Sequence, residues 1–128
     1  MNATAEEWVE KAEADWATAR REARVTRGAN YDAVCFHAQQ CVEKLMKALL
    51  ICRRSVPPKT HDLVHLDQVL TTAFPRWSWA VDELRLVSRA AVAYRYPGEA
   101  ADRGDAAAVM HLAGRMRRRL RSLLKKCN

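Results

Sequence analysis

Residues 35–50, CFHAQQCVEKLMKALL, decide how the chain folds. In and just before this stretch, Tyr31, Val34, Ala38, Val42, Leu45 and Leu49 recur at spacings of three and four, the period of one helix face and not the alternation of a strand. Asn30 stands where an N-cap belongs. Pro57-Pro58 close the segment, because residues before proline avoid helical angles. The polar residues are also ordered: Gln39 and Glu43 share one face at i,i+4, while Gln40, Lys44 and Lys47 share another. As surface pairs these would contribute about 0.2–0.5 kcal/mol each. At a boundary between bundle elements or subunits, a buried Glu43 carboxylate would instead need a cationic partner. The candidate is Arg95, which lies at a helix end between Tyr94 and Tyr96.

The same period extends in both directions. From about Thr4 to Arg27, the capping-box pattern Thr4-Ala5-Glu6-Glu7 precedes a stripe of Trp8, Ala12, Trp16, Ala19 and Ala23, with Gly28 as the stop. A short third helix is expected from about His61 to Thr72, capped by Thr60 and using Leu63, Leu66 and Leu70. Pro75 separates it from a fourth, about Trp77 to Tyr94, with Ala80, Leu84, Val87 and Ala91 inward. After Pro97-Gly98, Asp105 can cap a last helix carrying Val109, Leu112, Met116, Leu120 and Leu123. Five amphipathic helices with short connections predict an all-α, up-and-down antiparallel bundle, with residues 1–128 forming one domain.

Composition agrees. A chain of 128 residues that is 49% hydrophobic, with only four Gly and four Pro, is neither disordered nor collagen-like. At this size roughly two thirds of the extended surface can be buried, so no metal or disulfide staple is required. No apolar run reaches the length of a membrane span, and the opening MNATAEEWVEK is acidic where a signal peptide would be basic. The expectation is a soluble protein of the cytoplasm. Cys35, Cys41, Cys52 and Cys127 show no CxxC spacing and are expected as reduced thiols filling a core.

The net charge of +7 is unevenly placed. All fifteen acids lie between Glu6 and Asp105, whereas seven bases follow from Arg115 onward, so the whole excess belongs to the last helix. Such a block can attract phosphate backbones. It can equally be a solvated face whose cations suit the negative end of the helix dipole.

His61-Asp62-Leu63-Val64-His65 has the spacing of a zinc-protease helix with Asp in place of Glu. No third ligand follows, however, and capping accounts for Thr60 and Asp62, so no metal or cofactor site is assigned. His37 and His111 have no ligand spacing and are assigned no chemistry.

The blocks AQQCVEKLMKALL (38–50), PPKTHDL (57–63) and YRYPG (94–98) together resemble the HEPN domain family of higher eukaryotes and prokaryotes, over about Trp8 to Leu124. The resemblance implies a helical bundle that commonly dimerises, frequent pairing with a minimal nucleotidyltransferase, and nucleotide or RNA binding. Several branches of the family are toxins of toxin–antitoxin pairs that cut RNA without metal through an Arg-x4–6-His motif. Arg95 is similar in kind and place to the motif arginine, but Ala100, Ala101 and Asp102 stand where its histidine should fall. Arg54 and His61 fit the spacing, across the Pro57-Pro58 connection and outside the later motif region. Cleavage at neutral pH depends on a titrating group such as His. The reading that follows is a non-catalytic module in which Arg95 holds phosphate, Tyr94 and Tyr96 stack on a base, and Lys59 and His61 contribute from the Pro-rich connection. The alternatives are a ribonuclease using Arg54, His61 or Arg95, and a purely structural partner assembled through Gln39 and Glu43.

Overall fold

The computed structural model describes residues 1–94 and 96–127. They form α1 (Ala3–Ala23), α2 (Tyr31–Cys52), α3 (Leu63–Ala73), α4 (Val81–Ala93) and α5 (Arg103–Lys125), an all-α up-and-down bundle. Among the described residues there is no strand, and no helix is long and apolar enough to cross a membrane.

α2 is the axis. Of its expected stripe, Val34, Ala38, Val42, Leu45 and Leu49 are fully buried and Tyr31 partly so, but Cys35, Cys41, Met46, Ala48 and Leu50 are fully buried as well. The reason is that α1, α3, α4 and α5 all pack against it, and a helix enclosed on all sides is apolar nearly all round. α1 lies against α2 through small residues, Ala5, Ala12 and Ala19, together with Val9. Trp8 and Trp16 pack partly buried at its edge, and Ala23, expected inward, is exposed. Asp15 of α1 fastens the pair by binding both His37 (2.7 Å from Nδ1) and the Lys44 ammonium of α2. Across the bundle Gly114 of α5 faces Trp16, and a Cβ there would sit 3.2 Å from the indole.

Helix ends differ from expectation where two capping residues compete. Asn2, not Thr4, caps α1, its side chain accepting from Ala5 N at 2.8 Å. The helix stops at Ala23, and Gly28 (φ 66) turns the chain beyond it. Asp62, not Thr60, caps α3 by accepting from Val64 N, while the Thr60 hydroxyl accepts from Asp62 N. Asp102 caps α5, and Asp105, expected as the cap, returns its carboxylate to the Asp102 N–H in a capping box. α4 begins only at Val81, because Trp77 turns into the core, donates its indole N–H to Asp67 and stacks with Trp79.

The basic last helix is partly engaged in holding the bundle. Arg117 Nε (2.8 Å) and Arg121 Nε (3.4 Å) both meet the Glu13 carboxylate of α1, and Arg115 reaches Glu83 of α4 at 3.7 Å.

Candidate functional site

The bundle places one carboxylate where water barely reaches. Glu43, midway along α2, has a side chain only 3% exposed, and a buried carboxylate must be met by donors. Lys47, one turn on, supplies its ammonium 3.1 Å from Oε2. Gln39, one turn back, donates from Nε2 to Oε1 at 3.2 Å and to the His61 backbone carbonyl at 3.1 Å. Gln40 Nε2 donates to Gln39 Oε1 at 2.8 Å. The α2 polar face thus fixes the backbone of the 53–62 connection, which the two prolines already hold out of helical geometry.

That connection delivers His61. Its Nδ1 lies 3.1 Å from both Glu43 oxygens, while 80% of its side chain is exposed. A carboxylate on Nδ1 favours the tautomer with the proton there, leaving the Nε2 lone pair directed away. His61 precedes the cap of α3, so it does not share a helix face with His65 as the i,i+4 reading of His61-Asp62-Leu63-Val64-His65 required.

His61 is a wall shared by two open cavities. One, about 350 Å³, is lined on its polar side by Lys47, Lys59 and Thr60, with Trp8 and Pro57-Pro58 as its apolar side. The Lys47 ammonium also lies 5.6 Å from the Trp8 ring centre. The other, about 580 Å³, lies between the start of α3 and α4 and carries Arg85, Ser88 and Arg89 as well as Asp62 and Asp82. Ser88 is set by accepting from Leu63 N at 3.1 Å. Arg89 continues into a third hollow against Tyr94, where burial raises the phenol's pKa. The result is a surface band running from Trp8 and Lys59 over His61 to Arg89 and Tyr94.

Of the residues expected from the sequence, Lys59 and His61 come together, and Gln39 and Glu43 lie beneath them, buried within a single chain. Tyr94 lies at the far end of the band, and Tyr96 is 63% exposed. Arg54 lines neither cavity flanking His61. Arg95, expected as the cation for Glu43 and as the phosphate ligand, lies outside the described residues. The Glu43 carboxylate is already met by Lys47 and His61. Sequence reasoning missed Lys47, Trp8, Arg85 and Arg89. Glu43 and Lys47 at i,i+4, in the favourable order, were a usable signal. Arg85 and Arg89 are also i,i+4, but nothing in the sequence says that His61 faces them.

The family model of the HEPN domain matches residues 5–123. The chain belongs to the HEPN domain family. Two solved structures share the fold. TT1696 from Thermus thermophilus is 23% identical, with a TM-score of 0.77 over 93% of this chain and 97% of that one. ST0689, an archaeal HEPN homologue, is also 23% identical, with a TM-score of 0.64 over 92% and 95%. Comparison with curated proteins gives no match.

Proposed function

We propose that the chain is a nucleotide- or RNA-phosphate-binding module that works as a homodimer beside a minimal nucleotidyltransferase. The observation that carries the reading is His61 standing between Lys59 on one side and Arg85 and Arg89 on the other. Two guanidiniums and an ammonium within one open band suit successive phosphates. Trp8 at one end and Tyr94 at the other offer aromatic faces for bases. Asp62 and Asp82 line the wider cavity, but Asp62 is occupied in capping α3 and Asp82 faces Arg85 at 3.9 Å. Pairing of two copies is supported by the family's habit and by Val81, Leu86 and Val92, which α4 leaves exposed.

Calorimetry with nucleotides and short single-stranded RNA at low and moderate salt tests this. Binding should weaken as salt rises and fall at least about fivefold in Lys59→Ala or Arg89→Ala, a loss of about 1 kcal/mol each. Absence of heat, with and without a nucleotidyltransferase, contradicts the reading.

One observation favours a second reading. Glu43 holding His61 by Nδ1, with Nε2 free to take a proton, is the carboxylate–imidazole arrangement of a general base. In this reading the chain is a metal-independent ribonuclease toxin. Expression should then arrest growth and fragment RNA, both abolished in His61→Ala. Intact RNA and normal growth exclude it.

A further inference from the structure

The end of the bundle opposite the loop after α1 brings two thiols together. α2 ends at Cys52, and α5 ends at Lys125 just before Cys127. The two side chains line one cavity of about 460 Å³. Both are partly exposed, whereas Cys35 and Cys41 are fully buried. Burial pushes the Cys35 thiol up to about 11 and that of Cys41 higher still, and with no exposed surface neither can meet a dissolved disulfide. Around the pair, the cavity wall carries Arg53, Arg76 and Lys126 and, among the described residues, no acidic one. Arg53 is packed over the Phe74 ring at 4.7 Å, which holds one of these cations at the rim.

We propose that Cys52 and Cys127 form a reversible intramolecular disulfide by exchange with an anionic low-molecular-weight disulfide of the glutathione type. The thiolate of Cys127 attacks one sulfur of the small disulfide, forming a mixed disulfide and expelling the first small thiolate. That thiolate takes up the proton lost from Cys127. Cys52 then loses its proton and attacks the Cys127 sulfur, expelling the second thiolate. Two electrons pass from the cysteines to the small disulfide, and two small thiols leave. Burial, and then the neighbouring Cys127 thiol, push the Cys52 thiol up to about 12, so the second step relies on the placement of the two cysteines in one cavity and not on the acidity of Cys52. The three cations favour approach of a carboxylate-bearing partner. The product ties the end of α5 to the end of α2 and closes most of the chain into one loop.

The test treats the reduced full chain with glutathione disulfide at low and high salt, followed by intact-mass measurement and peptide mapping. The expected result is loss of two hydrogen masses without added mass and a peptide linking Cys52 to Cys127. A rise in melting temperature of about 5 °C or more, reversed by dithiothreitol, should accompany it. Cys52→Ser should instead retain a mixed disulfide on Cys127. A persistent adduct on the unaltered chain, a Cys127-linked dimer, or no reaction overturns the proposal. A link formed at a rate indifferent to salt overturns the anionic partner.

Discussion

Arg54 shows how a single residue records what the chain tolerates. It sits at φ 59, the left-handed region, just past the cap of α2. There its N–H bonds to Ile51 O (2.9 Å) and the Ser55 N–H to Leu50 O (3.0 Å), a Schellman ending normally given to glycine. Arg54→Gly should therefore raise stability by about 1 kcal/mol in urea denaturation. A loss would mean that the arginine side chain makes a compensating contact. Glu43 carries more. Glu43→Gln leaves the Lys47 ammonium buried without its counter-charge and should cost about 3 kcal/mol. Glu43→Leu combined with Lys47→Met should cost clearly less than Glu43→Gln, which equilibrium unfolding can distinguish. Asp67 runs the other way. Burial raises its pKa, while the Trp77 N–H bond lowers it by a smaller amount. The folded state therefore holds the proton more tightly than the unfolded chain, and stability falls as pH rises from the ordinary carboxylate range through the folded pKa. Asp67→Asn keeps the acceptor for Trp77 and should be the more stable protein at neutral pH, with the advantage fading on acidification below the ordinary range. A melting series against pH checks the sign.

At the scale of elements, the helix interiors were legible and their ends were not. Leu63, Leu66 and Leu70 of α3 and Val109, Met116, Leu120 and Leu123 of α5 are buried as their spacing requires, with Leu112 partly so. Ends depend on which of two nearby capping side chains wins, and Asp102 prevails over Asp105 because the second can then return a bond to the first. Asp102→Ala should cost about 1 kcal/mol, measured by thermal or urea unfolding. The start of α4 was expected at Trp77 with Ala80 inward, whereas Trp77 bonds to Asp67 on α3, the helix begins at Val81 and Ala80 is left as an exposed cap. The site was legible only in part for the same physical reason. Burial of Glu43 was one of two readings of the α2 polar face, and Lys47 was assigned to a different face, whereas α1 draws Lys44 to Asp15 and leaves Lys47 for Glu43. His61 reaches that carboxylate through a bond between its backbone carbonyl and Gln39, a long-range contact with no local signature.

For the molecule as a whole, the question is which basic region meets a polyanion. The net charge of +7 comes from the stretch from Arg115 onward, yet Arg115, Arg117 and Arg121 of α5 face Glu83 and Glu13. The band around His61 has less excess charge but more shape, with cavities on either side of an imidazole fixed from below. Shape with moderate charge gives a site that selects, while an exposed basic helix gives binding without selection. The two accounts differ in where a bound phosphate would be felt. The most direct measurement is histidine side-chain nitrogen NMR during titration with a short single-stranded RNA. The account predicts that His61 Nε2 shifts progressively to saturation while His111, exposed on α5, stays still. Saturable binding that moves His111 and leaves His61 unchanged would contradict it.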